Sequence, residues 1–350
     1  MKPFVVVDAD VLGRQRTGDE TYIENLLREL AALDGGVRLA AVTRRPDLVP
    51  TGIDPVELRA RSQPWRMAVS LPIALRRLRP ALAHFLYVIP PAYRGPAVLT
   101  VQDLSFERQP ELMSPRDRFY FRTFVPRSAR RAARVLTGSE QTRDDLVKRY
   151  GLPRERVHVM PYGFDPIYSA DGPAPGDGNY VLFVGGLEPR KDPVAALEAF
   201  ALVDEDLDLR LILAGAAKRG ADEVRSTIRR LGLEQHVELR GHVSKQELAA
   251  LYRGASCLVV PSRYEGFGLP VIEAMASGTP VVATAAGALP EVAGDAAILV
   301  EPGDAEELAE GIERALAERE RLRAAGLERA RSFSWAETAR RTLDVYRELV

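Results

Sequence analysis

The sequence predicts an α/β protein made of two doubly wound domains, and three observations lead to that prediction. Short apolar segments alternate with helical stretches along the chain. Its 350 residues exceed the roughly 250–300 residues beyond which a single hydrophobic core stops growing. A stretch rich in Gly, Pro and Asp, GFDPIYSADGPAPGDGNY, divides the alternation into two halves. We therefore expect two parallel sheets, each covered by helices on both faces.

Twelve apolar segments are the predicted strands. In the first half they are FVVVDA, RLAAVT, LAHFLYV, AVLTVQD, ARVLTGS and VHVMPYG, and in the second YVLFVGG, LRLILAG, HVELRGH, ASCLVVPS, TPVVAT and AAILVEP. Continuous apolar runs of this length are typical of strands buried on both faces. The predicted domains span 1–165 and 180–332, with 166–179 as the linker. Residues 333–350 are a final amphipathic helix capped by Ser334, and the sequence leaves open whether it returns to the first domain.

Composition and charge exclude several classes of protein. With 46% hydrophobic and 28% charged residues, the chain has an ordinary globular composition, and no apolar run approaches the ~20 residues that span a bilayer. The start, MKPFVVVDAD, becomes acidic too early for a signal peptide, so we expect a cytoplasmic protein. The inner face of the membrane is the alternative location. The four histidines lack metal-ligand spacing, which predicts no metal site, and Cys257 is predicted to be a buried, inert thiol.

The charge is distributed unevenly between the two halves. Residues 1–170 contain 27 Lys and Arg against 19 Asp and Glu, a net charge of +8, and residues 171–350 contain 21 against 30, a net charge of −9. Such a division indicates two units that meet different partners.

The loop after the strand YVLFV has the composition of an anion-binding turn. Gly185 and Gly186 end the strand, and Arg190 and Lys191 precede a helix that Asp192 can cap. Glycines let the backbone approach a ligand closely, and two cations at a helix start suit a diphosphate. A solvated turn with two surface cations is the alternative at this point. Ligands of open parallel sheets bind beyond the carboxyl ends of the strands, but this loop taken alone fits both interpretations equally well.

The loop after CLVVPS places two carboxylates around a glycine turn. In PSRYEGFGLPVIEAMASG, Glu265 precedes a helix that Pro270 can open, and Glu273 lies within that helix. The N–H groups of Gly268 and Leu269 at the helix start would point towards an anion. A carboxylate accepts two hydroxyl hydrogen bonds at once, which suits sugar diols. Two glutamates favoured only by the helix dipole are the structural alternative.

Several of these segments resemble one enzyme family. PSRYEGFGLPVIEAMASGTPVVAT resembles the E-x7-E signature of retaining nucleotide-sugar glycosyltransferases of the GT-B fold, family 4, and FVGGLEPRKD resembles their diphosphate loop. ELRGHVSKQELAALYRGASCLVVPS, GRQRTGDETYIENLLREL and TVQDLSFERQPEL also resemble family segments. The resemblance covers essentially the whole chain. It implies two Rossmann-like domains that face each other across a cleft, the first binding acceptor and the second binding donor.

The resemblance also implies roles for individual residues. Glu273 would bind the ribose hydroxyls, Glu265 would contact the donor hexose, and Arg190 and Lys191 would neutralise the diphosphate. The remaining implied donor contacts are made by Gly18, Gly185, Gly186, His242, Val243, Phe267, Gly268 and Leu269.

Two positions depart from the family pattern. Many members have Arg where Gly186 stands, so Arg190 would neutralise more of the diphosphate charge here. Many also have His-Asp-Leu where this chain has Gln102-Asp103-Leu104, and Gln102 can exchange hydrogen bonds but cannot titrate near neutral pH. The implied catalytic set is therefore Glu265, Lys191, Arg190, Gln102 and Asp103.

The implied reaction is a retaining transfer of a mannose- or glucose-type hexose from a nucleoside-diphosphate sugar to a hydroxyl of a glycan, lipid-linked or small-molecule acceptor. The resemblance favours GDP-mannose, with UDP-sugars next. No cofactor is implied and no metal is required, because cations and a helix N-terminus would stabilise the leaving diphosphate. Closure of the domains about a hinge at 171–178 is implied as well.

The basic segment SPRDRFYFRTFVPRSARRAARVL, residues 114–136, has two interpretations. It holds seven arginines, one aspartate and four aromatic residues, Phe119, Tyr120, Phe121 and Phe124. A membrane-surface contact for a lipid-linked acceptor is one. We favour the other, a helix with an apolar core face and an arginine-rich solvent face, broken at Pro126. Nucleic acid is not expected as a partner, because no recognition motif accompanies the arginines.

Other functions fit the sequence less well. A nicotinamide-dependent dehydrogenase needs G-x-G-x-x-G after the first strand, which VVVDADVLGRQRTGDETY does not supply. Gly13 and Gly18 have the outer spacing of a P-loop, but Asp19 stands where Lys is required. A GT-B binding or regulatory subunit of weak activity is the main alternative, supported by Gln102 and Gly186. An epimerase or phosphorylase of the same fold lacks specific residues here.

Overall fold

The computed structural model describes residues 2–14, 17–33, 35–174, 178–203 and 207–350. The chain forms two compact units: unit 1 is Met1–Gly163 with Ser334–Val350, and unit 2 is Phe164–Phe333. Residues 175–177 of the predicted hinge lie outside the described residues.

Unit 1 contains a parallel sheet of seven strands in the order β3-β2-β1-β4-β5-β6-β7. The strands are β1 Phe4–Asp8, β2 Arg38–Thr43, β3 Asp54–Glu57, β4 Leu82–Leu86, β5 Ala97–Thr100, β6 Arg134–Thr137 and β7 Val157–Val159. The helices between them are α1 Thr17–Ala32, α2 Gln63–Trp65, α3 Leu71–Leu78, α4 Ser105–Arg108, α5 Pro115–Arg131 and α6 Glu140–Tyr150, with a π-helical stretch Arg66–Ser70 between α2 and α3. Buried aliphatic side chains fill the space between this sheet and its helices.

Unit 2 contains a second parallel sheet, of six strands in the order β10-β9-β8-β11-β12-β13. The strands are β8 Tyr180–Val184, β9 Arg210–Ala214, β10 Val237–Gly241, β11 Cys257–Val260, β12 Val281–Thr284 and β13 Ile298–Val300. The helices are α7 Pro193–Phe200, α8 Ala221–Leu231, α9 Lys245–Gly254, α10 Leu269–Ala276, α11 Leu289–Ala293, α12 Ala305–Ala317 and α13 Arg319–Ala330. The central strands are buried along most of their length, as their continuous apolar sequences require.

The last helix, α14 Trp335–Leu349, belongs to unit 1 and packs against α1. The Ser334 hydroxyl caps it by accepting from the Glu337 N–H at 3.5 Å. It is fixed further by the Thr338 hydroxyl, which donates to the Pro161 carbonyl, and by Leu343, which packs where a Cβ at Gly35 would stand.

A buried chain of polar side chains runs from α14 through the sheet of unit 1. The Tyr346 hydroxyl lies 2.6 Å from His84 Nδ1, His84 Nε2 lies 2.7 Å from the Thr100 hydroxyl, and that hydroxyl lies 3.0 Å from Tyr22. Burial lowers the pKa of His84 to about 3, so the ring is neutral and can both donate and accept. Both nitrogens of the His84 ring are therefore satisfied by protein side chains.

The twelve predicted strands are confirmed, and the structure adds β3. Its sequence, DPVE, is mostly exposed at the edge of the sheet, so it lacks the apolar run by which the other strands were predicted. The prediction for Cys257 is confirmed as well: the thiol is buried in β11, and burial raises its pKa to about 12.

Residues 115–131 of the basic segment form one continuous helix, so the prediction of a break at Pro126 is wrong. Helix α5 continues through Pro126, although proline removes one backbone hydrogen bond at a cost of about 3 kcal/mol. Val125, Ser128 and Ala129 are buried around it, and their packing holds the helical path.

Three of the four aromatic residues of α5, Tyr120, Phe121 and Phe124, pack against the core, as the favoured interpretation requires. Phe119 is 70% exposed, and membrane contact by 114–136 stays a prediction. Among the described residues no helix has the length and apolar character that crossing a bilayer demands.

Replacing Tyr346 by Phe should lower the free energy of unfolding by about 1–3 kcal/mol, because His84 Nδ1 would remain buried without a partner. Urea denaturation at pH 7 measures the change. Thr342→Val in the same helix is the control, since it removes a buried hydroxyl that donates to the carbonyl of Thr338 one turn earlier. Equal losses in the free energy of unfolding would show that the hydrogen bond to His84 contributes no more than any other buried hydroxyl of α14.

Candidate functional site

The candidate site lies at the carboxyl ends of β8 and β11 in unit 2. These strands are neighbours in the sheet, but the chain leaves β8 towards β9 and β10 on one side and leaves β11 towards β12 and β13 on the other. The order of strands therefore reverses between β8 and β11, and loops diverge there to leave a crevice. The two loops that the sequence singled out, 185–192 and 261–268, are the loops that follow these two strands.

Backbone and side-chain contacts hold the two loops together. The Arg263 N–H donates to the Arg190 carbonyl at 2.9 Å, and Arg190 Nη1 donates to the Tyr264 carbonyl at 3.0 Å. The Arg263 side chain also pairs with Asp192, at 2.7 Å. Asp192 is the predicted cap of α7, since its carboxylate accepts from the Ala195 N–H. The loop that carries the cations is thus fixed against the loop that carries Glu265.

Glu265 is the centre of a buried ion cluster. Its side chain is 6% exposed and accepts hydrogen bonds from Lys191 Nζ, from Arg190 Nη1 at 3.3 Å and from the Ser262 hydroxyl at 2.8 Å. Burial alone would raise the pKa of Glu265, but Lys191 and Arg190 outweigh it and lower the pKa to about 2. The carboxylate is therefore ionised at neutral pH. It holds two cations side by side at the end of the sheet.

Helix α10 begins between the two glutamates without a side-chain cap. Gly268, at φ +104°, occupies the cap position in a left-handed conformation that favours glycine, and Pro270 lies in the first turn. A glycine at the cap has no side chain that could accept from the first N–H groups of the eight-residue helix. Pro270 has no N–H, and the Val271 N–H donates to the Gly268 carbonyl at 3.0 Å. The positive end of the helix dipole adds to the cations of the neighbouring loop.

Glu273 lies inside α10 and is nearly buried. The Tyr252 hydroxyl, from α9, donates to Glu273 Oε2 at 3.0 Å. Burial raises the pKa of Glu273 to about 7, against the opposing effects of Tyr252 and of Lys245. Lys245 in turn pairs with Asp165, at 3.5 Å. The Glu273 carboxyl group is therefore less completely ionised at neutral pH than an exposed glutamate.

The other predicted donor-site residues occupy the same edge of the sheet. Gly185 and Gly186 end β8, and His242 and Val243 follow β10, immediately before Ser244 caps α9. The imidazole of His242 is exposed. The ring of Phe267 is buried against Phe333, which leaves its backbone as the part that can meet a ligand.

The predicted residues of the first half form a second group, in unit 1. Gly18 lies in the first turn of α1, and a Cβ at Gly18 would stand 3.7 Å from Gln102 Oε1. Gln102 is 9% exposed, and its amide nitrogen has no hydrogen-bond partner among the described residues. Asp103 accepts from the N–H and the hydroxyl of Ser105, at 3.0 and 2.8 Å, and so starts the short helix α4. One oxygen of Asp103 therefore has a structural role.

Sequence reasoning missed four side chains of the donor-site region. Ser262 and Tyr252 bind Glu265 and Glu273, and Glu188 and Lys218 form an ion pair beside Arg190. Ser262 lies two residues beyond the end of β11 and could have been found from that position. Tyr252 and Lys218 belong to other elements, and nothing in their local sequence indicates what they contact. Among the described residues there is no group of three or more His, Cys, Asp or Glu placed to hold a metal ion.

Comparison with family models divides the chain within a few residues of the structural division after Gly163. Residues 16–167 match the model described as Glycosyltransferase Family 4, and residues 165–332 match the model described as Glycosyl transferases group 1.

Individual relatives are similar to this chain in sequence, and several solved structures are similar to it in fold. The O-antigen chain mannosyltransferase B of Escherichia coli is 31% identical in an alignment 329 residues long that covers 89% of this chain and 83% of that protein. D-inositol 3-phosphate glycosyltransferase 1 of Catenulispora acidiphila is 36% identical over 63% of this chain and 58% of that one. The structure of sucrose-phosphate synthase from Thermosynechococcus elongatus superposes with a TM-score of 0.81 at 22% identity, covering 100% and 99% of the two chains. Anabaena HepE in complex with UDP-glucose gives 0.78 at 18% identity, covering 99% of each.

Replacing Glu273 by Gln should stabilise the ligand-free protein at pH 8 and have little effect near pH 5. The folded-state pKa of about 7 lies above the ordinary value of 4.5, so the stability that protonated Glu273 contributes is complete below pH 4.5 and is lost as the pH rises through about 7. Above pH 7 the folded protein holds a buried charge that Gln lacks. Thermal unfolding at both pH values measures the difference, which should be several degrees at pH 8.

The exposed Glu310 on α12 provides the control, since Glu310→Gln should leave the melting temperature unchanged at both pH values. A Glu273→Gln effect of the same size at pH 5 and pH 8 would contradict the raised pKa.

Proposed function

Because the chain belongs to the glycosyltransferases, with a GT-B fold, we propose that it moves a hexose from a nucleoside-diphosphate sugar to an acceptor hydroxyl with retention of anomeric configuration. One observation carries the proposal. Lys191 and Arg190 both form ion pairs with Glu265, in the loop that leads into α10. Helix α10 has no side-chain cap and contains the second carboxyl group, that of Glu273. Cations and helix N–H groups suit phosphates, and carboxylates suit sugar hydroxyls.

Glu273 is the proposed ribose-binding residue. An ionised carboxylate accepts hydrogen bonds from both hydroxyls of a vicinal diol, and a ligand that supplies them favours the charged form over the protonated one. The Tyr252 hydroxyl fixes the orientation of the carboxyl group by holding Oε2. The backbone at His242 and Val243 is the proposed contact for the base, because it follows the strand ends on the same side of the crevice.

Glu265 has two proposed tasks. It keeps Arg190 and Lys191 together against their mutual repulsion, and it contacts hydroxyls of the hexose near the reacting carbon. The first task is supported by the three hydrogen bonds it accepts. A diphosphate that enters the crevice would share the two cations with Glu265, so the cations need little movement to bind it. The N–H groups at Gly268 and Leu269 complete the proposed phosphate contacts.

The proposed reaction needs no covalent enzyme intermediate. The acceptor hydroxyl attacks the anomeric carbon on the face from which the nucleoside diphosphate leaves. The bond between that carbon and the phosphate oxygen breaks, and the acceptor proton passes to a departing phosphate oxygen. Negative charge grows on the diphosphate in the transition state, where Arg190, Lys191 and the α10 N-terminus stabilise it. A metal ion is not required for this step, because these groups supply the positive charge.

Mannose is the proposed sugar and GDP the proposed nucleotide. The relative that aligns with 89% of this chain is a mannosyltransferase, and another relative is named an MMP alpha-(1->4)-mannosyltransferase. UDP-glucose, which the similarly folded Anabaena HepE binds, is the second candidate donor.

Unit 1 is the proposed acceptor-binding domain, with Gly18 as a proposed donor contact and Gln102 and Asp103 as proposed catalytic residues. The unpartnered amide nitrogen of Gln102 supports a ligand contact there, because a buried donor without a partner costs about 1–3 kcal/mol. A glycan or lipid-linked acceptor is proposed from the O-antigen relative. A binding subunit without turnover is the alternative.

The test of the proposed function is turnover with GDP-mannose, UDP-glucose, UDP-galactose and ADP-glucose against a set of simple and lipid-linked glycosides, in buffer containing EDTA. One donor should release its nucleoside diphosphate, and nuclear magnetic resonance should show the donor's anomeric configuration in the product. Inversion would contradict the retaining mechanism, and loss of all activity in EDTA would contradict a metal-independent step. Tight donor binding without release would favour the binding subunit.

Replacing Lys191 by Ala should lower kcat by about 10²–10³-fold, the usual effect of removing one donor that stabilises transition-state charge. Because the substitution also leaves Glu265 with fewer partners, thermal unfolding of each sample must show that the assayed protein is folded. Lys148→Ala, an exposed lysine on α6, is the control and should retain full activity. Unchanged turnover of Lys191→Ala would remove Lys191 from the mechanism.

A further inference from the structure

Lys218 lies beside the proposed diphosphate site on a loop that the sequence did not single out. It follows β9, the neighbour of β8 on the side away from β11. The loops after β8 and β9 are hydrogen-bonded to each other: the Leu187 N–H donates to the Ala216 carbonyl at 3.0 Å, and the Gly220 N–H donates to the Leu187 carbonyl at 2.9 Å. Lys218 is therefore held next to the loop that carries Arg190.

The side chain of Lys218 occupies the space that a side chain at residue 186 would need. A Cβ on Gly186 would stand 2.7 Å from Lys218 Cε and 3.1 Å from its Nζ, closer than side-chain carbons approach. The other lysine lies beside the neighbouring glycine in ordinary contact, since a Cβ on Gly185 would stand 3.5 Å from Lys191 Cγ. Lys191 and Lys218 thus lie next to Gly185 and Gly186, the two consecutive glycines that follow β8.

These cations form one continuous ion network. Lys218 pairs with Glu188 at 3.2 Å, Glu188 pairs with Arg190 at 3.3 Å, and Arg190 pairs with Glu265 at 3.3 Å. Lys191 completes the network through Glu265. The network joins three cations to two carboxylates, so it carries a net positive charge at the carboxyl ends of the strands, where an anionic ligand would bind.

Stability alone does not account for the position of Lys218. Its side chain is 47% exposed, and an ion pair of this exposure contributes little to folding stability. Glu188 accepts from both Lys218 and Arg190, so its carboxylate fixes the distance between two cations rather than neutralising either one completely.

We propose that Lys218 is a further diphosphate-binding residue of the donor site, with Glu188 as its positioning residue. The inference rests on the proposed function, since it assigns a contact to the diphosphate of that donor. Gly186 is the structural condition for it: the absent side chain lets a lysine from the adjacent loop supply the cation that residue 186 does not. The loop after β9 thus adds a third cation to the two that the loop after β8 supplies.

The test is calorimetric titration with whichever of GDP, UDP, ADP and dTDP binds the wild-type protein most tightly, and with the corresponding nucleoside. Lys218→Ala should raise the Kd of the diphosphate about tenfold, the effect of losing one charge-assisted hydrogen bond, and leave the Kd of the nucleoside unchanged. Arg219→Ala is the matched control, because it removes the adjacent exposed cation and the same unit of charge.

Two further variants test the positions of the charges. Gly186 lies outside the left-handed backbone region, so the double variant Gly186→Lys with Lys218→Ala can place a cation in the vacated space and should recover most of the lost affinity. Glu188→Gln should weaken diphosphate binding in the wild-type background and have a smaller effect in the Lys218→Ala background, where only its contact with Arg190 remains. Equal effects in the two backgrounds would show that Glu188 does not position Lys218.

The outcomes separate this inference from the function on which it rests. If Lys191→Ala weakens diphosphate binding while Lys218→Ala does not, or if Arg219→Ala has the same effect as Lys218→Ala, the role of Lys218 is overturned and the donor site stands. If no diphosphate binds the wild-type protein, the donor site itself is wrong.

Discussion

The buried carboxylate of Glu265 is the constraint on which the donor-site region depends. An isolated charge at this depth would be neutralised, and Glu265 remains ionised because two cations and a hydroxyl surround it. The same contacts join the loop after β8 to the loop after β11. Removing one partner would leave a buried charge uncompensated, so charge balance and loop geometry are coupled at this point.

The two glutamates of unit 2 are held in opposite electrostatic states. Glu265 lies among cations, and its pKa falls to about 2, whereas Glu273 has one hydroxyl partner and a pKa of about 7. A permanently charged group suits the task of holding Arg190 and Lys191. A group that is incompletely ionised without ligand suits binding, because the ligand supplies the hydrogen bonds that the protein withholds. With Glu273 at this position the ligand-free protein is less stable towards unfolding than it would be with Gln. Binding sites commonly lower folding stability in this way.

Much of this arrangement could be predicted from the sequence, for a specific reason. Buried parallel strands have continuous apolar sequences, and the residues after them share one edge of the sheet, so Arg190, Lys191 and Glu265 could be grouped from their positions in the chain alone. The edge strand β3 lacks an apolar run and was missed. Proline predicted a break in α5 that core packing prevents.

Contacts between distant segments were not predictable in this way. Tyr252 has the spacing of an ordinary core residue in α9, and only the folded chain shows that its hydroxyl meets Glu273. Lys218 reaches the space above Gly186 from another loop, which depends on how the loops after β8 and β9 pair. Side chains that support a site from other elements carry no local sequence signal.

The most direct test of the account is a thermal-shift series with GDP, UDP, ADP, dTDP and NAD on the wild-type protein and Glu273→Ala. A ligand at about 100 times its Kd stabilises the native state by roughly 2.7 kcal/mol, which appears as a shift of several degrees. The account predicts a shift with one diphosphate, its loss in Glu273→Ala and no shift with NAD. A protein stabilised by no diphosphate, or by NAD alone, would contradict the assignment of the donor site.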